Sequence, residues 1–166
     1  LAAELQTQGL HAQAIEKWKA FVQQHAAHVK VADAHHNLGV CQLHAKRFPE
    51  AAASFRAVLA KYPKFSMLEG AQYNLGLALL QGAGVSKKPD DYKAAAAALA
   101  ESAAKYPSGA QAPKALYYQG EALFSGGDGK GAVEIYKQLI AKFPKDPMAA
   151  DAYYALGSAQ QDLKLE

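Results

Sequence analysis

A motif that recurs at a fixed spacing restricts the fold of this 166-residue chain more than any other feature of its sequence. In three places an aromatic residue and a proline are followed by a glycine thirteen residues after the proline, at Tyr62-Pro63 to Gly76, Tyr106-Pro107 to Gly120 and Phe143-Pro144 to Gly157. A degenerate copy with Ala26 in place of the proline leads to Gly39. The glycines are therefore 37, 44 and 37 residues apart, and one insertion of seven residues accounts for the longer interval. Such a period is typical of stacked structural repeats.

A second pattern lies between each glycine and the next proline, where residues recur at offsets of 0, 1, 4, 7 and 8. The matching sets are Ala14, Ile15, Trp18, Phe21 and Val22; Ala51, Ala52, Phe55, Val58 and Leu59; Ala132, Val133, Tyr136, Leu139 and Ile140; and a weaker set of Ala95, Ala96, Leu99, Ser102 and Ala103. These offsets form one apolar stripe along an α-helix. Glycine and proline turn signals separate this helix from the one that carries the glycine, and no alternating strand pattern occurs. The sequence therefore predicts antiparallel helical hairpins and an all-α fold.

The segment from residue 34 to residue 63 resembles a tetratricopeptide repeat. Its signature positions hold Leu38, Gly39, Ala51, Phe55 and Pro63. The chain departs from the family in its period, which is 37 residues instead of 34, and in Gln119, which stands where leucine is expected. The resemblance implies a right-handed α-solenoid of about nine helices. It implies one domain over 1–166, with repeats at roughly 1–28, 29–65, 66–109, 110–146 and a partial 147–166.

The three surplus residues of each repeat follow the Tyr-Pro pair. With this spacing the repeats resemble a subgroup of tetratricopeptide proteins from the bacterial envelope. The subgroup includes the lipoprotein of the outer-membrane β-barrel assembly machinery and the periplasmic coordinator of the Tol-Pal system. This resemblance favours the periplasm or cell envelope slightly over the cytoplasm, without fixing the compartment. Leu1 falls inside a repeat and Glu166 at a turn, so we expect this chain to be a fragment of a longer one. Two copies are then expected to associate through the cut ends of the solenoid.

Composition and charge exclude several classes of function. The chain carries 18 lysines and arginines against 15 acidic residues, and the lysines are spread out, so no nucleic-acid partner is expected. Cys41 is the only cysteine, which excludes an internal disulfide. No apolar run reaches the roughly 20 residues of a membrane span. The six histidines lie within the first 44 residues, and none are four apart as helical metal ligands would be. We expect no metal and no cofactor.

Two loop-like segments have no chemistry of their own. Residues 81–91, QGAGVSKKPDD, lack the spacing of a phosphate loop and are predicted to form a lengthened turn within a hairpin, with Asp90 or Asp91 at the start of the next helix. A protrusion that contacts a partner is the alternative. The glycine-rich segment 125–131 lacks the ligands of a calcium loop and is predicted to be a tight turn. Without a nucleophile motif or paired carboxylates, and with Cys41 predicted to be buried and inert, no enzyme activity is expected.

In tetratricopeptide families the first helices of the hairpins line a concave groove, and the resemblance implies ten groove residues here. They are His36, Asn37, Val40, Tyr73, Asn74, Leu77, Tyr117, Glu121, Phe124 and Tyr154. Aromatic and apolar side chains with a few polar groups suit a peptide ligand. Alternatively, the tyrosines only fill contacts between hairpins. Related repeat modules bind the C-terminal carboxylates of chaperones with cationic side chains. The matching positions here hold uncharged or acidic residues, so we do not expect a chaperone C-terminus as the ligand.

The sequence thus predicts a non-catalytic scaffold for protein–protein interaction that binds a peptide or helix of a partner protein. Two alternatives stay open at this point. One is a structural or self-assembly module of a larger protein, whose groove is filled by its own neighbouring segment or by a second copy. The other is a bacterial envelope-assembly factor.

Overall fold

The computed structural model describes residues 1–163, and all of the regular structure in this range is α-helical. Nine helices follow one another: α1 (Ala2–Thr7), α2 (His11–Gln24), α3 (Val31–His44), α4 (Phe48–Lys61), α5 (Leu68–Ser86), α6 (Pro89–Lys105), α7 (Ala112–Ser125), α8 (Gly129–Lys142) and α9 (Pro147–Asp162). The predicted all-α fold of about nine helices is confirmed. The end of the predicted partial repeat, residues 164–166, lies outside the described residues.

The helix boundaries follow from proline and aspartate chemistry. Helices α4, α6 and α8 each end at a lysine that precedes an aromatic-proline pair, because the residue before a proline is disfavoured in helical geometry. Asp128 and Asp146 begin α8 and α9, where their carboxylates accept hydrogen bonds from the backbone N–H groups of Gly131 and Met148, both at 2.9 Å. Such caps satisfy donors that the first helical turn leaves unpaired.

The prediction of a long turn at residues 81–91 is wrong, because the chain continues as helix through most of it. Helix α5 has 19 residues, where α3 and α7 have 14, and α6 has 17, where α4 and α8 have 14. The connection between α5 and α6 is one residue shorter than its counterparts, so the extensions of five and three residues account for the seven inserted. Gly82 and Gly84 cost helix propensity, but Ala83 between them is buried. The expectation that Asp90 and Asp91 lie in the first turn of α6 is confirmed.

The described chain forms two compact units, Leu1–Ala78 and the part from Leu79 onward, with the boundary inside α5. In the first unit α3 packs against α2 and α4, and its core includes Ala14, Ile15, Leu38 and Cys41. In the second unit α7 packs between α6 and α8, and α9 packs against α8. The core of that unit contains Leu116, Ala132, Val133, Tyr136, Leu139, Ala149, Ala152 and Ala159.

The recurrent glycine marks a close approach between the two helices of a hairpin. A Cβ added to Gly39 would lie 2.8 Å from Cε1 of Phe55. A Cβ added to Gly120 would lie 2.7 Å from Cζ of Tyr136, at the same position in its own hairpin. Both distances are too short for real carbon atoms, so any side chain would separate the helices. At Gly157 a Cβ would meet nothing within 4 Å, so the explanation holds for two of the repeated glycines and not for this one.

Candidate functional site

In the first unit, His36 of α3 lies inside the protein and not on an open surface. Its side chain is 8% exposed, and its ring centroid lies 5.8 Å from that of Phe55 and 5.7 Å from that of Phe65. Neither ring nitrogen has a hydrogen-bond partner within residues 1–163. Burial lowers the pKa of His36, although the nearby Asp33 carboxylate opposes this effect. The imidazole is therefore neutral at pH 7 and acts as an aromatic packing element.

The other predicted residues of the first unit differ in how much surface they offer. Tyr73 of α5 is 8% exposed, so its ring is also a packing element. Asn37 and Val40 on α3, and Asn74 and Leu77 on α5, are half-buried. This unit therefore presents two amide groups and two aliphatic side chains at the predicted positions.

In the second unit, Tyr117, Glu121 and Phe124 form a stripe along α7, which we call the α7 stripe. Their spacing of four and three residues places them on one face of the helix. All three are half-buried. The ring of Tyr117 lies 5.3 Å from that of Tyr118, nearly perpendicular to it, and 6.1 Å from that of Tyr136. The stripe is thus held from beneath while part of each side chain faces solvent.

A hydrogen bond across the hairpin fixes the middle of the α7 stripe. The Tyr136 hydroxyl donates to Oε1 of Glu121 at 2.5 Å, and Tyr136 is only 1% exposed. Burial, together with this bond, raises the pKa of Tyr136 far above its usual value, and burial beside Glu121 raises the pKa of Tyr117. Both phenols therefore stay neutral at physiological pH. Oε2 of Glu121 has no hydrogen-bond partner in the described part of the chain, so it can accept one from a ligand.

Tyr154 of α9 is the most exposed of the ten predicted residues, at 84%. Its neighbour Tyr153 is also exposed. Large exposed aromatic side chains are common anchors of protein interfaces. Within the second unit, the structure therefore brings together the three residues of the α7 stripe and adds an open tyrosine on α9.

The sequence reasoning missed the pairing of Tyr136 with Glu121. A signal was present, because Glu121 follows the close-contact glycine Gly120, and Tyr136 is the aromatic residue that this glycine meets. It also missed the buried hydrogen bond from Ser54 Oγ to Gln42 Oε1, at 2.6 Å in the first unit. Both pairs link the two helices of a hairpin and contribute about 1 kcal/mol or more each.

The histidines and Cys41 are engaged in packing. His11 and His44 stack with their ring centroids 4.7 Å apart, and His25 and His28 each contact Phe21. Within residues 1–163 no group of three metal-ligating side chains occurs. Cys41 is buried, as predicted, and burial raises the pKa of its thiol. None of the helices in the described range is long and apolar enough to span a bilayer.

Comparison with known families settles the assignment. A family model described as tetratricopeptide repeat matches residues 1–64 and 90–147. The chain belongs to the tetratricopeptide repeat family. Members of this family mediate contacts between proteins. The family model leaves residues 65–89 and 148–166 unmatched, and the first of these stretches contains the lengthened helix α5. No sequence relative matches among curated proteins.

Solved structures of tetratricopeptide-like proteins share the fold. The crystal structure of MamA has a TM-score of 0.78 at 21% identity, covering 99% of this chain and 85% of that chain. A second crystal structure contains nearly identical TPR-like repeats of a Podosopora anserina protein assigned as a kinesin light chain. Its TM-score is 0.74 at 20% identity, and the match covers 97% of this chain and 82% of that chain. At these identities the likeness shows the fold alone. The narrower likeness to the bacterial envelope subgroup stays a prediction.

Proposed function

We propose that this tetratricopeptide repeat chain is a non-catalytic scaffold that binds an extended peptide or a short helix of a partner protein. The ligand lies along the first helices of the hairpins, on the surface where the sequence predicts a concave groove. The observation that most supports this proposal is the α7 stripe, because two aromatic side chains and a carboxylate stay partly exposed while the protein holds them in place.

Rigidity is what makes the α7 stripe suitable for binding. Ordering a flexible side chain on association costs about 0.5–1.5 kcal/mol. Here Tyr117 is already packed against two rings, and the Glu121 carboxylate is already oriented by Tyr136. Most of that cost is therefore met when the chain folds. The remaining oxygen of Glu121 suits a backbone N–H or a basic side chain of the ligand.

Within the first unit, the proposed contacts are polar and aliphatic. The amides of Asn37 and Asn74 can each accept and donate hydrogen bonds, as a peptide backbone requires. Val40 and Leu77 add apolar surface beside them. His36 and Tyr73 are buried and do not contact the ligand.

The chemistry of the reactive side chains also agrees with a non-catalytic role. The Cys41 thiol is buried with a raised pKa, so little thiolate forms at pH 7. The Tyr136 hydroxyl is buried and already donates a hydrogen bond to Glu121. Neither group is arranged to attack a substrate.

Peptide selection tests the proposal without knowledge of the natural partner. Peptides selected from a random display library on the wild-type chain are compared on the Phe124→Ala/Tyr154→Ala variant. We expect Kd to rise at least about tenfold, because interface aromatics often contribute more than 1 kcal/mol each. Val85→Ala is the control, since Val85 is an exposed apolar residue outside the predicted groove. Equal affinity for the double variant and the wild type, with both folded by circular dichroism, would refute the proposal.

A further inference from the structure

The second unit contains another recess, on a different side of α7 from the α7 stripe. Helices α6, α7 and α8 enclose a cleft of about 350 Å³. Its lining includes Ala103 of α6, Leu116 and Gln119 of α7, and Ile135, Gln138 and Lys142 of α8. At 100° per residue, Leu116 and Gln119 lie more than a quarter-turn away from Tyr117 and Glu121 around α7. We call this recess the α6–α8 cleft.

Two departures from the repeat pattern explain why the cleft is open. Gln119 occupies the position of Leu38 in the first unit, which is buried in the core of its hairpins. Ala103 occupies the position of Val22 on α2. At both positions the second unit has less apolar volume to fill the space between helices. At these two positions the cleft therefore has room that the first unit fills with apolar side chains.

The polar groups in the cleft have no partners of their own. Gln119 and Gln138 are half-buried, and neither amide makes a hydrogen bond within residues 1–163. Each amide offers one acceptor and two N–H donors among otherwise apolar neighbours. A peptide backbone, which alternates C=O and N–H groups, satisfies both kinds of site.

Charge identifies the kind of peptide. Lys142 lies one turn beyond Gln138 on α8, at the edge of the cleft, and the lining contains no acidic residue. In the described part of the chain Lys142 has no ion pair, whereas Lys105 and Lys137 are paired with Glu101 and Glu134. An unpaired ammonium group beside two amides favours a carboxylate ligand.

We propose that the α6–α8 cleft is a second docking site, which binds an extended acidic peptide segment of a partner protein. One apolar side chain of the peptide lies between Ala103 and Ile135. The peptide backbone bonds to Gln119 and Gln138, and an aspartate or glutamate side chain pairs with Lys142. This site is independent of the α7 stripe, whose carboxylate suits a ligand with hydrogen-bond donors.

Heteronuclear NMR titration tests this inference with a defined probe. The probe is the blocked peptide acetyl-Ser-Asp-Leu-Glu-Ser-amide, and its counterpart has Asn and Gln in place of Asp and Glu. We expect the acidic peptide to shift backbone amide signals of residues 100–107, 116–119 and 135–143. The neutral peptide should bind more weakly, by up to about fivefold, because an exposed ion pair contributes up to about 1 kcal/mol. Equal binding of the two peptides, or shifts centred on the α7 stripe, would overturn the proposal.

Variants separate the cleft from other lysines and from the proposed groove. Gln119→Leu restores the residue of the family signature and fills the cleft, so the fold should persist while the acidic peptide no longer binds. Ala103→Leu fills it from α6 and serves where Gln119→Leu alters folding. Lys142→Gln should weaken binding, whereas Lys130→Gln, the same change on the same helix, should not. If the two lysine variants behave alike, the site is wrong. The Phe124→Ala/Tyr154→Ala variant should still bind the acidic peptide, whether or not it loses binding of the peptides selected for the proposed function.

Discussion

Removing the hydroxyl group of Tyr136 tests the internal support of the α7 stripe. In the Tyr136→Phe variant the ring and its packing are kept, but the hydrogen bond to Glu121 is lost. Hydrogen bonds to charged groups contribute about 1.5–3 kcal/mol. Because Glu121 is half-buried and gains solvation when released, we expect a loss of about 1–2 kcal/mol of unfolding free energy. For a chain of this length that corresponds to a fall in Tm of roughly 2–8 °C.

Chemical denaturation monitored by circular dichroism measures this loss, and two further variants make it specific. Tyr92 is another buried tyrosine of the same unit, and its hydroxyl makes no hydrogen bond in the described part of the chain. Tyr92→Phe should therefore change the unfolding free energy by less than about 0.5 kcal/mol. In a Glu121→Gln background the effect of Tyr136→Phe should shrink, because the charged acceptor is gone. If Tyr136→Phe and Tyr92→Phe have equal effects, the hydrogen bond does not support the stripe as described.

Packing and burial lead to three more predictions. Gly120→Ala should destabilise the protein by about 1–3 kcal/mol, because the added Cβ would overlap the Tyr136 ring. Gly84 has open space around it, so Gly84→Ala should stabilise the protein by about 0.5–1 kcal/mol. Equal stability of the two variants in chemical denaturation would contradict the close approach at Gly120. Because burial lowers the pKa of His36, the unfolded chain binds the proton more tightly, and unfolding free energy should fall as pH drops through about 6.5. This dependence should be shallower in His36→Gln, and an unchanged dependence in that variant would contradict the burial of the imidazole. The thiol of Cys41 should react with a disulfide reagent at least about tenfold more slowly in the folded than in the unfolded chain, and equal rates would show that it is accessible.

The repeat could be predicted from the sequence because its signal is local and periodic. The spacing of Gly39 and Pro63 and the apolar stripe of α4 follow directly from helix geometry and from the geometry before proline. These features are set by residues a few turns apart, so the helices and their pairing were accessible from the sequence.

The inserted segment was predicted wrongly because its local signals favour a turn. Gly82 and Gly84 are poor helix formers, but the burial of Ala83 favours continuing the helix. Tertiary packing outweighs local propensity here. The helix propensities of individual residues do not show how much surface a helix buries. The length of α5 could therefore be determined only from the structure.

The candidate site was predicted at the level of helix faces and not of individual side chains. The family resemblance pointed to the helix face that carries Tyr117, Glu121 and Phe124, but not to the hydrogen bond between Tyr136 and Glu121. It also did not separate His36, which is buried, from Tyr154, which is exposed. Burial depends on side chains from other helices, and the spacing of residues along one helix contains no information about them.

The central claim is that a partner peptide binds along the α7 stripe, and intermolecular nuclear Overhauser effects test it most directly. A display-selected peptide is mixed with the isotope-labelled chain, and contacts between the two are recorded. The account predicts contacts from the peptide to the side chains of Tyr117 and Phe124. Contacts confined to other surfaces of the chain, with none to the α7 stripe, would contradict it.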